Sequence, residues 1–228
     1  MTNTIPSRQD EQGGQGEQGG QGAPLDVAER VAQQTLASRE AAYASEVRRL
    51  LDAALDVMRR CGTTSRPRVA DIVAAAGLSN EAFYRHFPSK DALVATLLDD
   101  GAVRLASYLQ HQIAKDATPE GQVRRWVEGV LSQADEDIAA TTLAVIWNGG
   151  SAGQGQASGR HFASAAVGAL LHAPFATLGS RDPELDAALA AHATFGKLAD
   201  YLWQQSRPTP AEVDHIVGFC LAAVTPRR

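Results

Sequence analysis

The 228-residue sequence lacks the residue patterns that build disulfide frameworks, metal sites or membrane spans. Its two cysteines, Cys61 and Cys220, are isolated, so they form neither a disulfide pattern nor a metal-binding spacing, and a reducing cytoplasm is the expected compartment. No apolar run approaches the roughly 18 residues of a transmembrane helix, and no basic segment precedes an apolar run at the N-terminus. We therefore expect neither a membrane span nor a secretory signal.

Strand-like alternation is also missing, and aromatic residues make up only 6% of the chain. Alanine and leucine instead recur at three- and four-residue steps, which is the spacing of amphipathic helices. The pattern predicts an all-α protein. Hydrophobic residues amount to 44%, which is enough for a sizeable core.

Composition divides the chain into four segments. Residues 1–23 are rich in Gly, Gln and Glu and are predicted to be a disordered tail. Residues 24–44 are predicted to form a helical extension. Its only features that favour contact with DNA are two basic residues, Arg30 and Arg39. Residues 45–95 are predicted to be a DNA-binding domain and residues 96–228 a C-terminal helical bundle.

The most informative stretch is Val69–Leu93. A short apolar helix, Val69–Ala76, is predicted to stop at Gly77, and Ser79 is predicted to cap a second helix that ends before Pro88. Two short helices joined by a tight turn with a glycine form a helix-turn-helix, whose second helix enters the major groove of DNA.

Charge distribution favours the same segment, although the whole chain has a net charge of −5. Residues 45–95 carry eight Lys or Arg against six acids, whereas residues 1–44 carry three against six and residues 96–228 carry ten against fourteen. The basic residues of the positive segment are Arg48, Arg49, Arg59, Arg60, Arg66, Arg68, Arg85 and Lys90. They supply the electrostatic footprint expected of a DNA-binding domain.

This stretch, from Val47 to Leu98, resembles the DNA-binding domain of the TetR family of bacterial transcriptional regulators. The residues that carry the resemblance are Ile72, Ala76, Gly77, Leu78, Ser79, Tyr84, His86, Phe87 and Lys90. The resemblance implies a three-helix helix-turn-helix domain followed by a helical bundle for dimerisation and ligand binding. Two positions depart from the family pattern, because Arg68 replaces a capping Thr and Glu81 replaces a frequent Gly.

The residues predicted to contact DNA lie around the second helix of the motif. Hydroxyl, imidazole and ammonium donors suit phosphate oxygens. Asn80 can pair with adenine and Arg85 with guanine, and the Ala82 methyl group can meet a thymine methyl. The alternative is a solvated polar face, with Phe83 and Phe87 in the core. The full set is Arg68, Ser79, Asn80, Ala82, Tyr84, Arg85, His86 and Lys90.

A ligand pocket is the second candidate site, because the aromatic residues of the middle region are interspersed with polar ones. Bundle interiors often hold apolar pockets with a few polar groups, and the resemblance implies a small effector there. The alternative is that the aromatics only fill the core. The candidate residues are Tyr108, His111, Trp126, Trp147, Asn148, His161, Phe162 and Phe175.

The last two predicted helices carry broad apolar faces with several small residues. Paired helices of this kind form the dimer interface in the resembled family, and a DNA reader of this size usually needs two half-sites. The alternative is an ordinary intramolecular core. The predicted interface residues are Leu189, His192, Phe195, Gly196, Ala199, Val213, Ile216, Val217 and Cys220.

Enzymatic and metal-binding readings have little support. Gly149–Gly153 matches the G-x-S-x-G pattern of hydrolases, but that motif needs a preceding strand, and none is predicted. The histidines lack ligand spacing, so neither a metal nor a cofactor is expected. The predicted function is a homodimeric, TetR-like repressor that a small-molecule effector releases from a palindromic operator. The alternative is a helical ligand-binding or enzymatic protein whose helix-turn-helix is only a packing motif.

Overall fold

The computed structural model describes residues 26–149 and 165–224, and all regular elements within these ranges are helical. The predicted all-α fold is confirmed. The N-terminal tail and the candidate ligand residues His161 and Phe162 lie outside the described residues. None of the helices in the described ranges is long and apolar enough to cross a membrane. The helices are α1 Val27–Cys61, α2 Val69–Ala76, α3 Asn80–His86, α4 Lys90–Ile113, α5 Pro119–Leu131, α6 Glu136–Gly149, α7 His172–Thr177, α8 Pro183–Gln204 and α9 Pro210–Val224.

Helix α1 joins the predicted extension to the first helix of the helix-turn-helix without a break. Its residues up to 42 belong to a separate compact unit and are all exposed, and this includes the apolar side chains of Val27, Val31 and Leu36. The chain from Tyr43 onward forms the second unit. The candidate sites therefore lie in the second unit.

Helix ends follow the capping signals of the sequence. The side-chain oxygens of Ser79, Ser89, Thr118 and Asp182 each accept a hydrogen bond from the backbone N–H three residues on. These bonds satisfy N–H groups that have no partner within the helix. Pro174 lies in the first turn of α7, after a 3₁₀ turn at residues 169–171, where a proline removes no hydrogen bond of the helix.

Gly77 ends α2 in the left-handed conformation, with φ of 62°. Arg49 of α1 reinforces this end, because its guanidinium donates to the carbonyl of Ala76 at 2.6 and 3.1 Å and to that of Gly77 at 3.0 Å. The turn of the motif is thus fixed against α1 by a long side chain as well as by its own backbone.

Replacing Gly77 by alanine should lower the free energy of unfolding by about 1–2 kcal/mol, because a side chain disfavours the left-handed conformation. The added Cβ would also lie 3.1 Å from Arg49 Nη2. Gly101, inside α4, is the matched control: a Cβ there meets nothing within 4 Å, so alanine should stabilise by about 0.5–1 kcal/mol. Urea unfolding of both variants checks the prediction, and equal effects would contradict it.

Two hydrophobic clusters hold the second unit together. The N-terminal core is built by α1 to α4 and contains the fully buried Phe83, and Phe87 is 7% exposed beside it. The C-terminal core is built by α4 to α9 around Trp126 and Phe175. Helix α6 contributes to both, since Ala144 and Val145 belong to the N-terminal core and Leu143 to the C-terminal core. Helix α4 also belongs to both, with Leu93 and Leu97 in the N-terminal core and Leu109 in the C-terminal core.

Candidate nucleic-acid interface

Helix α3 has one buried and one exposed face. Ala82 and Phe83 are buried, whereas Asn80, Tyr84 and Arg85 are exposed. The Phe83 ring packs edge-on against Tyr84, with ring centroids 5.2 Å apart, so the apolar face supports the exposed phenol. The polar face of this helix is therefore presented on a packed base, as a groove-reading helix requires.

Two predicted DNA contacts are contradicted by burial. The Ala82 residue is 5% exposed, so its methyl group has almost no surface to offer a thymine. The His86 side chain is 1% exposed, and its Nε2 lies 2.7 Å from a carboxylate oxygen of Glu46. Tyr43 covers the imidazole edge-on, with ring centroids 4.3 Å apart. The imidazole is thus a packing and hydrogen-bonding group inside the domain and is unavailable to a phosphate.

Sequence reasoning missed Glu46, which lies on α1 and faces the end of α3. Its Oε2 also lies 3.4 Å from Nη1 of Arg85. The hydrogen bond from His86 lowers the pKa of Glu46, and the charges of Arg85 and Arg49 add to this effect against a smaller opposing effect of burial. The carboxylate is therefore ionised at neutral pH. Helical spacing could have placed Tyr43 and Glu46 on one face, but it gives no partner forty residues away.

Two predicted phosphate contacts flank the motif with charged side chains. Lys90 is half-buried, and its Nζ donates to the carbonyl of Pro67 at 3.3 Å, which uses one of three ammonium donors. The Arg68 side chain is 80% exposed and pairs with Asp71. Hydrogen bonds from Arg68 lower the pKa of the Asp71 carboxyl group. That carboxylate also accepts from the Arg68 backbone N–H at 2.9 Å, which is the bond that the third residue of a helix makes in a capping box. Arg68 cannot make the reciprocal bond of a threonine, because a guanidinium has no acceptor.

The described residues of the predicted ligand pocket differ in burial. Trp126 and Phe175 are fully buried in the C-terminal core, and the Trp126 indole N–H donates to the carbonyl of Val167 at 2.8 Å. Tyr108 and His111 are exposed on α4. Two of these four side chains therefore belong to the core and two to the surface.

Trp147 and Asn148 are neighbours near the end of α6 but make different contacts. Trp147 packs edge-on against Trp203, with ring centroids 5.6 Å apart, and the guanidinium of Arg66 lies 5.9 Å from its ring. Asn148 is buried and donates to the carbonyl of Ala144 at 2.9 Å. The Arg66–Trp147–Trp203 contact joins the loop before α2 to α6 and α8.

The predicted dimer face is divided between surface and core. Leu189 is 59% exposed, and His192 and Gly196 are also exposed. Val217 and Cys220 are buried in the C-terminal core, so their assignment to an interface was wrong. Phe195, Ala199, Val213 and Ile216 are half-buried. The sequence analysis missed Phe219, which is 55% exposed on α9.

Two grooves lie along this exposed face. One has a volume of about 320 Å³ between the segment 165–172 and α8, and includes His172, Glu184 and His192. The other has a volume of about 490 Å³ between α8 and α9, with Tyr201 and Phe219 in its wall. No group of three or more metal-ligating side chains occurs within the described ranges. Ser151, the serine of the G-x-S-x-G match, lies outside these ranges.

Comparison with known proteins finds a family model that matches the helix-turn-helix. Residues 50–97 match the model of bacterial regulatory proteins of the tetR family. No curated protein sequence matches the chain.

Several solved structures share the fold of the chain. A protein from Mesorhizobium loti, described as a TetR-family transcriptional regulator, has a TM-score of 0.61 at 17% identity over 80% of this chain and 96% of that one. FadR from Bacillus subtilis, in complex with stearoyl-CoA, has a TM-score of 0.58 at 18% identity over 77% and 98%. NemR from E. coli in its reduced form has a TM-score of 0.58 at 14% identity over 80% and 100%. At these identities, the similarity shows the fold.

Proposed function

We propose that this chain is a homodimeric repressor of transcription of the TetR family, whose model matches its residues 50–97. In this proposal, it binds a palindromic operator in the cytoplasm and leaves it when a small-molecule effector binds the C-terminal bundle. The observation that supports it best is the polar, exposed face of α3, held on a buried apolar face beside the capped turn at Gly77.

The proposed DNA contacts are the predicted residues that remain accessible. Asn80 and Arg85 would read base edges, because an amide can pair with adenine and a guanidinium with guanine. Tyr84, Lys90 and Arg68 would bind phosphates, and the Ser79 hydroxyl keeps its hydrogen as a donor while its oxygen caps α3. Glu81 is exposed on the same helix, and we propose that it disfavours some sequences by repelling phosphate or accepts from cytosine.

The proposed dimer interface is the exposed face of α8 and α9. Leu185, Leu189 and Phe219 are each more than half exposed. A two-fold contact would bury these three side chains in both protomers. Gly196 and Gly218 have open space where a Cβ would stand, so a partner helix can approach closely there. Two DNA-reading heads related by this axis would match a palindromic site.

Helix α6 is the proposed coupling element, because it contributes to both hydrophobic clusters and Trp147 at its end contacts Arg66. An effector that favours one position of α6 would change the position of the DNA-binding domain. The coupling must be reciprocal, so DNA must weaken effector binding by the same factor. One fold neighbour is described in complex with stearoyl-CoA, which supports a small-molecule effector without defining its class.

Selection of binding sites from random DNA, using the purified protein, tests this proposal. A homodimeric regulator should enrich an inverted repeat, with half-sites about 10 base pairs apart or a multiple of that spacing. Its affinity should fall steeply with salt. The alternative function, a helical ligand-binding or enzymatic protein, predicts no enrichment and no salt-dependent binding.

Replacing Lys90 by alanine should weaken binding to every DNA sequence and reduce the salt slope by about one unit, because one phosphate contact is lost. Fluorescence anisotropy with random and operator DNA at several salt concentrations measures both quantities. Lys115→Ala is the matched control, since that exposed lysine follows the far end of α4. An unchanged slope in the Lys90 variant would remove this residue from the phosphate contacts.

A further inference from the structure

A single carboxylate oxygen of α1 binds two side chains at the end of α3. Glu46 Oε2 lies 2.7 Å from His86 Nε2 and 3.4 Å from Arg85 Nη1. The Glu46 side chain is 30% exposed and the Arg85 side chain 55% exposed, whereas His86 is 1% exposed. The carboxylate therefore lies at the margin of the DNA-binding surface, with one partner inside the domain and one outside.

His86 fixes the position of this carboxylate. Tyr43 packs edge-on against the imidazole, and its Nδ1 has no hydrogen-bond partner in the part of the chain that the structure describes. If the neutral ring carries its hydrogen on Nε2 and donates it to the carboxylate, Nδ1 carries none, so no N–H donor is buried without a partner. Glu46 thereby selects the ring tautomer, and the buried ring in turn holds Glu46 in place.

Arg85 is the exposed partner of Glu46. Arg49, the other cation that influences Glu46, is occupied by the carbonyl groups of Ala76 and Gly77. A guanidinium has five N–H donors, so Arg85 keeps donors for DNA while Nη1 faces the carboxylate. The carboxylate of Glu46 offsets the charge of Arg85 and so reduces the free energy that Arg85 gains by binding a phosphate. The planar donor array of the guanidinium stays suited to a guanine edge.

We propose that Glu46 is a positioning residue that withholds Arg85 from non-specific phosphate contacts and presents it to a base. In this way, Glu46 lowers affinity for random DNA and raises selectivity for the operator. The inference rests on the proposed DNA-binding function. Its chemistry requires only that the carboxylate remain charged and within reach of Arg85 when the protein meets DNA.

Glu46→Gln tests this role, because an amide oxygen still accepts from His86 but no longer neutralises Arg85. The salt slope for random DNA should steepen by about one unit, since Arg85 gains a phosphate contact. The ratio of operator to random affinity should fall several-fold. Glu46→Asp keeps the charge and should retain the parent slope. Adding Arg85→Ala to Glu46→Gln should abolish the change.

An unchanged slope in Glu46→Gln would overturn the inference. Equal weakening on operator and random DNA, together with a lower melting temperature, would also overturn it, because Glu46 would then only stabilise the domain. Arg85→Ala in the parent gives a second test if Glu46→Gln does not fold. It should reduce selectivity while changing the slope for random DNA by clearly less than Lys90→Ala does, and an equal loss of slope would overturn the inference. A parent protein without salt-dependent DNA binding would instead refute the proposed function.

Discussion

Leu189→Glu is expected to convert the proposed homodimer into folded monomers and to abolish tight operator binding. The leucine is 59% exposed in the single chain, so a glutamate there is solvated in the monomer. In the proposed dimer, both copies would be buried near the two-fold axis without partners. An uncompensated buried charge costs about 3–5 kcal/mol, which is on the order of a hundredfold or more in the dissociation constant.

Val103→Glu is the matched control for this variant. Val103 is an exposed apolar residue of α4, at 69% exposure, and it lies outside the proposed interface. Light scattering should report a dimer for the parent and for Val103→Glu, and a monomer for Leu189→Glu, while circular dichroism should show the same helicity in all three. A Leu189→Glu protein that stays dimeric and binds operator like the parent would place the interface elsewhere.

The choice of Leu189 depends on knowing which side of α8 faces outward. Phe195 and Ile216 were equally good candidates from the sequence, but both are half-buried against the C-terminal core. A glutamate at either position would combine loss of dimer with loss of fold. Val217 and Cys220 differ from Phe219 in the same way, because the apolar pattern of α9 does not say which stripe packs within the chain and which remains exposed.

Helix boundaries in this chain were predictable because their determinants are local. Gly77 supplies the left-handed residue at the end of α2, and Ser79 and Ser89 cap the next two helices through bonds that span three residues. The fold class followed from the same local periodicity. Such features need no knowledge of the distant chain, so one sequence is sufficient to place them.

The residues that were misassigned are those whose surroundings depend on side chains far away in the sequence. His86 has the right chemistry for a phosphate, but Glu46 and Tyr43, about forty positions earlier, bury it. The role of Arg49 as a cap for α2 depends equally on how α1 crosses the motif. A side chain's identity therefore indicates what it can bind, whereas only the packing of α1 on α3 decides whether DNA can reach it.

The aromatic residues of the bundle show the same limit. Composition does not distinguish a cluster that lines a pocket from one that fills a core, and the two readings predict opposite results for a large truncation. In a pocket, the removed side chain leaves space that already exists. In a core, the removal leaves a cavity and exposes polar groups to it.

Trp126→Ala is expected to lower the free energy of unfolding by about 3–5 kcal/mol, since a fully buried indole is removed from the C-terminal core. The carbonyl of Val167 would also lose the indole N–H at 2.8 Å, and an unsatisfied buried acceptor costs about 1–3 kcal/mol. Domains of this kind are stable by about 5–15 kcal/mol. The variant should therefore have a sharply lower denaturation midpoint or fail to fold.

Two further variants separate the possible causes of this loss of stability. One distinguishes the volume of the Trp126 indole from its hydrogen bond, and the other measures the cost of losing a tryptophan that is not buried. Trp126→Phe keeps most of the volume and loses the donor, so its effect should be intermediate. Trp203→Ala removes a tryptophan that is 50% exposed and should cost about 1 kcal/mol, the scale of one aromatic contact. If Trp126→Ala unfolds at the parent's urea concentration, the indole does not support the core. The space around Trp126 would then be open to an effector, as the sequence first suggested.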